Sequence, residues 1–241
     1  MDDDQRSSDR KNGDRKNGQP KDVSIEQWGR MDYAPALERQ QALAKDRAQG
    51  NAPDTFAVVE HPPTITLGRH CSTDDLLMDD AGLAARGIAV ERSDRGGRAT
   101  YHGPGQVVVY PIVGVAARGM GAKDWVERLE DALLATLAGF EVTGRRICGS
   151  PGIWAPQGKI ASLGLRIARG VSYHGVSINV EVDPAPFGHI VTCGIPAERI
   201  SSIALETGVG VPMAEVASSF TRHLLEQLPD LKGKVGRRER R

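Results

Sequence analysis

A stretch of twelve residues, 95–106, restricts the conformations open to this chain more than any other part of the sequence. It holds four glycines, one proline, two arginines, a tyrosine and a histidine, and it leads into the apolar run of residues 107–110. Glycine lets a backbone approach a ligand closely and adopt positive φ at little cost. A loop of this kind that feeds a buried strand can present arginine, tyrosine and histidine to a bound molecule. A glycine–proline turn with solvated arginines explains the local pattern equally well.

The composition favours a soluble globular protein. With 241 residues the chain can hold one sizeable domain or two small ones, and 39% hydrophobic with 26% charged residues suits a soluble fold. Lysine plus arginine and aspartate plus glutamate both total 31, so no overall field favours nucleic acid or an anionic membrane. No apolar run approaches the roughly 18 residues that a membrane span requires, and the N-terminus lacks a signal-peptide core. We expect a cytoplasmic protein with no nucleic-acid and no membrane partner.

Both ends of the chain differ in composition from the part between them. Residues 1–22 are almost wholly polar and repeat the pentapeptide Asp-Arg-Lys-Asn-Gly, so little in them can offset the entropy of ordering. Residues 229–241 carry six basic residues against two acidic ones. We expect a disordered N-terminal tail over 1–22, one catalytic domain over 23–228 and a basic C-terminal tail over 229–241.

Helix and strand signals interleave between these tails. Apolar residues recur every three or four positions over 122–138, which predicts the clearest helix. Capping and periodicity predict further helices over 34–49 and 212–228 and a weak one over 76–85. Strands are predicted over residues 55–59, 64–67, 88–90, 107–110, 159–167 and 171–180, the last two joined as a hairpin at Arg169-Gly170. This order favours an α/β fold of the α+β type, with a mixed sheet flanked by helices.

Familiar nucleotide and metal motifs do not fit this sequence. Residues 152–159 have five residues between their glycines where a phosphate-binding loop has four, and Ile160 stands where that loop needs serine or threonine. Residues 103–108 begin as Gly-x-Gly but lead into a strand, with valine in place of the third glycine. The six histidines show no metal-ligand spacing, and no Gly-x-Ser-x-Gly elbow is present. The sequence predicts no metal and no other cofactor.

The three cysteines form neither a disulfide framework nor a zinc motif. Most free cysteines are small buried hydrophobes, and we interpret Cys71 and Cys148 in that way. Cys193 stands beside a glycine at the end of an apolar segment, and Lys159 opens an otherwise apolar strand. The Lys159 ammonium can turn inward, although a lysine that reaches the surface is the commoner arrangement. These two residues are our candidates for nucleophilic chemistry.

Four motifs follow one another along the chain. They are Arg95-Gly-Gly-x-x-Thr-Tyr-His-Gly-Pro-Gly-Gln106, Lys159-Ile-Ala-x-x-Gly164, His174-Gly-x-x-x-Asn179 and Cys193-Gly-Ile195. In this order they resemble the octanoyltransferase family, also called lipoyl(octanoyl) transferases or lipoate-protein ligase B. The resemblance covers roughly residues 25–225. The twelve-residue motif is highly specific, and the lysine and cysteine motifs gain weight from their order and spacing.

The resemblance implies a single domain of the biotin/lipoate protein ligase catalytic-domain fold. It implies the transfer of an octanoyl group from octanoyl-acyl carrier protein to a lysine of lipoyl domains, in 2-oxoacid dehydrogenase complexes and in the glycine cleavage H protein. Cys193 would carry the acyl group as a thioester, and Lys159 would tune its thiol. The residues that would line the acyl pocket are Arg95, Gly96, Gly97, Arg98, Ala99, Thr100, Tyr101, His102, Ser162, Leu163, Gly164, Gly175, Val176 and Ser177.

The histidines differ in what they suggest. His102 is a candidate for positioning the acyl carbonyl or a water, and a histidine bonded only to its own loop is an equal alternative. His174 and Asn179 belong to a matching motif, but a structural hydrogen-bonding role explains Asn179 as readily as a ligand contact. We interpret the remaining four as structural: His61, His70, His189 and His223.

One departure from the family pattern leaves room for other functions. Family members usually have proline before the nucleophilic cysteine, whereas this chain has Thr192, which restores a backbone N–H and frees φ. An ATP-dependent lipoate- or biotin-type protein ligase of similar fold is the first alternative, and it would not need Cys193. A non-catalytic module that binds lipoyl domains is the second.

Overall fold

The computed structural model describes residues 23–191 and 199–231. Within these ranges the chain forms ten strands, five α-helices and two short 3₁₀ turns. The strands are β1 (Val23–Arg30), β2 (Asp54–Glu60), β3 (Thr64–Leu67), β4 (Ala89–Arg92), β5 (Ala99–His102), β6 (Gln106–Ile112), β7 (Arg145–Ile147), β8 (Ser150–Ala155), β9 (Gly158–Ala168) and β10 (Val171–Asn179). The helices are α1 (Tyr33–Gln49), α2 (Asp80–Ala84), α3 (Ala122–Ala138), α4 (Ile203–Thr207) and α5 (Met213–Gln227), and the 3₁₀ turns are Thr73–Asp75 and Ala185–His189.

The strands form two sheets. The main sheet has seven strands in the order β1-β2-β6-β10-β9-β8-β7, in which β1 is parallel to β2 and the other neighbours are antiparallel. The smaller sheet has the order β4-β3-β5, with β3 parallel to β4 and antiparallel to β5. The predicted mixed sheet is therefore confirmed, and β10 lies at the centre of the larger one.

Both faces of the main sheet are buried, because successive side chains of a strand point to opposite faces. On β6, Val107 and Val109 pack with α3 and α5 in the largest core cluster, whereas Val108 and Tyr110 pack with α1 on the other side. A third cluster joins the smaller sheet to α2 and to the turn Ala185–His189. This burial explains why β6 reads as a continuous apolar run.

The longest predicted helices and the hairpin agree with the structure. Helix α3 has the predicted bounds, and β9 and β10 form the predicted hairpin. Its turn residues, Arg169 and Gly170, have φ of 51° and 78°, as a tight hairpin turn requires.

Two local predictions were wrong. The weak helix over 76–85 is only the five-residue α2, because Leu76 makes a β-bridge with Ile190 instead of entering a helix. The stretch 95–106 is not a continuous loop, because its middle residues form β5 against β3. Four elements were not predicted, because their sequences have no clear helix or strand pattern: β1, β7, β8 and α4.

The last described residues pack against the rest of the fold. Arg118 donates a hydrogen bond to the carbonyl of Pro229, the first residue of the predicted C-terminal tail. Among residues 23–191 and 199–231, no helix combines the length and apolar character needed to cross a membrane.

Candidate active site

An open cavity is lined by residues of both sheets. One wall comes from residues 95–102, which enter and form β5 of the smaller sheet, and the opposite wall comes from β9 and β10 of the main sheet. Helix α1 and strand β6 close the remaining side. The lining residues are Tyr33, Arg95, Gly97, Arg98, Ala99, Thr100, His102, Val108, Tyr110, Ser162, Leu163, Gly164, His174, Gly175, Val176 and Ser177.

Most residues that the sequence predicted for an acyl pocket line this cavity, and Gly96 and Tyr101 do not. The backbone N–H of Gly96 instead donates to the Leu165 carbonyl at 2.9 Å. The Tyr101 ring turns away and packs edge-on against Phe187, with 5.3 Å between ring centroids. Alternation along β5 explains Tyr101, since its neighbours Thr100 and His102 face the cavity.

The interpretation of the arginines as solvated was wrong for Arg95, whereas the Arg98 side chain is 36% exposed. Arg95 is 7% exposed, and its Nε and Nη2 donate to Thr66 Oγ1 at 3.1 and 2.9 Å. Arg95 Nη2 also donates to the Thr66 carbonyl at 2.6 Å. Arg98 Nε donates to Asp75 Oδ2 at 3.0 Å. Each arginine therefore fastens the cavity wall to a neighbouring element.

A carboxylate immediately before the stretch fastens the same wall to the hairpin. Asp94 Oδ1 accepts from His174 Nε2 at 2.6 Å, Oδ2 accepts from the Tyr173 hydroxyl at 2.7 Å, and Arg166 lies 2.9 Å away. Burial alone would raise the pKa of Asp94, but the bonds from Tyr173, His174 and Arg166 outweigh it and lower that pKa. Burial, opposed by Asp94, lowers the pKa of His174 to about 4. An ionised Asp94 therefore faces a neutral His174.

Two facing glycines let the strands approach the wall closely. Gly164 and Gly175 are paired in the register of β9 and β10. A Cβ at Gly175 would lie 2.1 Å from the carbonyl oxygen of Val109, and one at Gly164 would lie 3.1 Å from Arg95 Cδ. Any side chain at Gly175 would force β10 away from β6, which is why glycine is required there.

A chain of hydrogen bonds runs from the cavity to Lys159. His102 Nδ1 donates to Gln106 Oε1 at 2.7 Å, and Gln106 Nε2 donates to Asn179 Oδ1 at 2.9 Å. Asn179 Nδ2 then donates to the Ser201 carbonyl at 3.0 Å, and the Ser201 N–H donates to the Lys159 carbonyl at 2.9 Å. The structural role weighed for Asn179 is thus the one these contacts support.

Burial keeps the cavity histidines neutral. It lowers the pKa of His102 to about 3, with the neighbouring His61 acting in the same direction. Because Nδ1 of His102 carries the proton that Gln106 accepts, its Nε2 is a hydrogen-bond acceptor. His61 is buried behind it, donates from Nδ1 to the Met31 carbonyl at 2.6 Å and accepts from the Tyr110 hydroxyl at 2.7 Å. These contacts fit the structural role predicted for His61.

Lys159 turns into the protein at the start of β9. It is 1% exposed, and its Nζ lies 5.4 Å from the centroid of the Trp154 indole ring. Its backbone N–H donates to the Arg199 carbonyl at 2.8 Å. The inward orientation is thus the one found, although Lys159 is not among the residues that line the cavity.

Cys193 and Thr192 lie outside the described residues. The described chain ends at Val191, whose N–H donates to the Asp75 carbonyl at 2.9 Å, and resumes at Arg199 beside Lys159. Of the two other cysteines, Cys148 is exposed and Cys71 is partly buried, so the prediction that both are buried was wrong. Burial, with Asp75 adding to it, raises the pKa of the Cys71 thiol to about 11.

Sequence reasoning missed Tyr33, Val108 and Tyr110 as lining residues. Tyr33 stacks on His102 at 6.2 Å between centroids although it lies far away in sequence. Only the alternation of β6, which puts Val108 and Tyr110 on one face, could have signalled part of this set. Within the described residues, no group of three or more His, Cys, Asp or Glu side chains could hold a metal ion.

We expect the free energy of unfolding to fall as the pH drops below 6.5, before the pH is low enough to protonate the carboxylates. His102 and His174 have native pKa values of about 3 and about 4, against about 6.5 in an unfolded chain. At pH values between the native and unfolded pKa, these histidines are protonated in the unfolded chain and neutral in the native state. The free energy of unfolding therefore falls as the pH drops. Each histidine contributes up to about 1.4 kcal/mol per pH unit below pH 6.5.

Urea unfolding at pH 7, 6 and 5 measures this loss. Replacing His102 with Asn should reduce the slope between pH 6 and 5, whereas replacing the exposed His70 with Asn should leave it unchanged. Stability that stays constant from pH 7 to 5 would contradict the assignment of neutral buried histidines.

The sequence is similar to known acyltransferases over most of its length. A profile described as the lipoyl protein ligase A/B catalytic domain matches residues 32–225. An octanoyltransferase of Chloroflexus aggregans is 42% identical over 205 residues, which cover 84% of this chain and 93% of that protein. One of Alkaliphilus metalliredigens is 41% identical over 192 residues, covering 79% and 87%.

Solved structures share the fold at low sequence identity. A bipartite lipoate protein ligase of Thermoplasma acidophilum, studied with its E2 lipoyl domain, superposes with a TM-score of 0.65 at 16% identity, covering 88% of this chain and 86% of that one. A lipoate-protein ligase A bound with ATP gives 0.65 at 17% identity, covering 87% and 86%. A biotin protein ligase of Aquifex aeolicus gives 0.51 at 12% identity, covering 86% and 70%. The cavity thus lies in a lipoate-ligase-type fold.

Proposed function

We propose that this chain acts in protein lipoylation. The premise is that it belongs to the octanoyltransferase family, within the lipoyl protein ligase A/B catalytic domains, and is an acyltransferase. It takes an octanoyl group from octanoyl-acyl carrier protein onto Cys193 and passes it to the lysine amine of a lipoyl domain. The acceptors we propose are the lipoyl domains of 2-oxoacid dehydrogenase complexes and the glycine cleavage H protein. The catalytic domain spans residues 23–228 and acts in the cytoplasm.

The observation that carries this proposal is the inward-turned side chain of Lys159, which is 1% exposed, on a strand whose Lys159 carbonyl is linked through Ser201, Asn179 and Gln106 to the cavity histidine. The described residues on either side of 192–198 contact Lys159 and the cavity wall: the Arg199 carbonyl accepts from the Lys159 N–H, and the Val191 N–H donates to the carbonyl of Asp75, which holds Arg98.

Two balanced steps account for the transfer. In the first, the Cys193 thiolate attacks the thioester carbonyl of the donor, and the carrier thiol leaves and takes up the proton released from Cys193. In the second, the acceptor amine attacks the Cys193 thioester, its proton goes to Lys159, and the Cys193 sulfur leaves. Exchange between thioesters is nearly isoenergetic and amide formation is downhill, so neither step needs ATP.

The lysine has a role in each step. An ordinary thiol with pKa about 8.5 is only a few per cent thiolate at pH 7, and a nearby ammonium favours the thiolate. When the carrier thiolate leaves in the first step, the ammonium gives it that proton, and the neutral amine of Lys159 can then accept the proton of the attacking amine in the second step.

The cavity suits a medium-length alkyl chain. Ala99, Val108, Leu163 and Val176 supply apolar walls, and each methylene buried there contributes about 0.8 kcal/mol. His102 presents its acceptor Nε2 to this space, which suits a bound water or an incoming N–H better than a carbonyl oxygen. Backbone N–H groups of the glycine-rich stretch are our candidates for stabilising the oxyanion.

Intact-mass spectrometry tests the covalent step. After incubation with octanoyl-acyl carrier protein we expect the chain to gain one octanoyl group, located on Cys193 by peptide mapping. The adduct should be lost in Cys193→Ala and kept in the matched variants Cys71→Ala and Cys148→Ala. ATP-dependent lipoylation that survives Cys193→Ala would favour a ligase instead, and binding of lipoyl domains without any acyl product would favour a non-catalytic module.

A further inference from the structure

Trp154 lies opposite Lys159 on neighbouring antiparallel strands. The register of β8 and β9 pairs the two residues, so their side chains project from the same face of the sheet. The Lys159 Nζ lies over the indole ring, 5.4 Å from its centroid, within the roughly 6 Å over which a ring face attracts a cation. Because Lys159 is 1% exposed, solvent screens this attraction only weakly.

A change of register at this point of the sheet aims the lysine. Ile153 pairs with Ala161, whereas the next residue, Trp154, pairs with Lys159, so Ile160 is an extra residue on β9. An extra residue of this kind bends its strand and changes the direction of the neighbouring side chains, and it recurs next to active sites. The lysine therefore faces the ring because of a local feature of the strand pair.

Gly152 leaves room for the lysine stem on β8. A Cβ at this position would lie 3.0 Å from Lys159 Cε, closer than side chains normally approach. Gly152 has φ of 122°, a conformation that glycine adopts at little cost. Its N–H donates to Oε1 of the buried Glu130 at 3.1 Å, which ties this part of β8 to α3. The stem is thus bounded by Gly152 and the ammonium by the Trp154 ring.

The indole N–H argues against a ring that only fills space. Trp154 Nε1 is buried and has no hydrogen-bond partner among residues 23–191 and 199–231. An unpaired buried donor costs free energy, and a phenylalanine or leucine would fill the space without that cost. Among aromatic side chains, however, tryptophan attracts a cation most strongly. The ammonium that the ring faces therefore accounts for a tryptophan at this position.

We propose that Trp154 is a positioning residue for acyl transfer, whose ring holds the Lys159 ammonium in place. The inference rests on the proposed function, since it takes from it the proton transfers assigned to Lys159. In the first step the ring orients the ammonium that favours the Cys193 thiolate and gives a proton to the leaving carrier thiolate. In the second step the same ring attracts the ammonium that forms when Lys159 accepts the proton of the attacking amine.

Fluorination of the ring tests the proposal with almost no change of shape, because fluorine atoms draw electrons from the ring face. Tryptophans with one to four ring fluorines would be incorporated at position 154 of the full chain. The kcat for octanoyl transfer to a lipoyl domain should fall with each added fluorine, by about threefold to thirtyfold in all. The matched control is Trp28, whose ring lies 4.6 Å from the Arg39 guanidinium and does not line the cavity. Fluorination at Trp28 should leave kcat unchanged, and a kcat that is equally unchanged by fluorination at Trp154 would overturn the proposal.

A second background separates positioning of the lysine from support of the fold. In Lys159→Met the ring faces no cation, so fluorination at Trp154 should leave the residual rate of acyl-enzyme formation unchanged. A ring that acts only by packing would give the same fold-change in both backgrounds. That result would overturn the proposal.

Urea unfolding of the same four proteins measures the contact without turnover. With Lys159 present, full fluorination at Trp154 should raise the equilibrium constant for unfolding by about threefold to thirtyfold, and in Lys159→Met it should leave that constant unchanged. Equal changes in both backgrounds would show that the ring does not hold the ammonium, and would overturn the proposal whatever the activity. The expected coupling in a chain that transfers no octanoyl would instead count against the proposed function.

Discussion

Replacing Lys159 with Arg should lower octanoyl transfer by about 10²-fold to 10⁴-fold, although the positive charge is kept. A guanidinium is not deprotonated at neutral pH, so it cannot accept the proton of the attacking amine. The guanidinium is also larger than the ammonium that it replaces, and it must be accommodated where Lys159 is 1% exposed beside the Trp154 ring. Both arguments predict a loss in the second step that charge alone cannot restore.

Separate measurement of the two steps makes this prediction sharp. Rapid-quench mass spectrometry would measure the rate of the first step, the formation of the acyl-enzyme. The rate of the second step would be measured by mixing isolated acyl-enzyme with a lipoyl domain. We expect the second step to be slowed more than the first, because an arginine can still favour the Cys193 thiolate. Lys123→Arg, at a side chain that is 92% exposed, is the matched control and should behave as wild type. Wild-type rates for both steps in Lys159→Arg would show that Lys159 is not the base.

Local sequence patterns predicted the parts of the fold that depend on local interactions. Helix α3 was predicted to the residue because its apolar stripe repeats with the helical period before Gly139. The hairpin of β9 and β10 was predicted because Arg169-Gly170 supplies its turn. Strand β1 was missed because it is an edge strand with mostly half-buried or exposed residues, so its alternation is weak.

The candidate site was predictable only as a set of motifs, not as a shape. The order of the motifs placed residues 95–102, 162–164 and 175–177 around one cavity, apart from Gly96 and Tyr101. Tyr33 could not be predicted, because only the tertiary packing of α1 brings it onto His102. Nothing local distinguishes the clamped Arg95 from a solvated arginine, since its partner Thr66 belongs to another strand.

Asp54 joins three distant segments away from the cavity. Its carboxylate is fully buried, receives hydrogen bonds from the Nε atoms of Arg47 and Arg118, and also accepts from the Gly114 N–H at 2.8 Å. Arg118 in turn donates to the Pro229 carbonyl near the end of the described chain. The same carboxylate thus holds the end of α1, the loop after β6 and the segment after α5 to the start of β2.

Replacing Asp54 with Asn should lower the free energy of unfolding by about 3–5 kcal/mol, because it leaves two arginines without their buried counter-charge. The NH₂ group of an asparagine would also face the N–H donors of one arginine. Rotating the amide only exchanges which arginine it faces. Urea unfolding at pH 7 measures the change, and kcat/KM of the folded fraction should stay near the wild-type value because Asp54 does not line the cavity. The matched control is Asp124→Asn, which breaks an exposed pair with Arg128 and should cost less than about 0.5 kcal/mol. Equal small losses in the two variants would mean that the Asp54 network contributes no more than a surface ion pair.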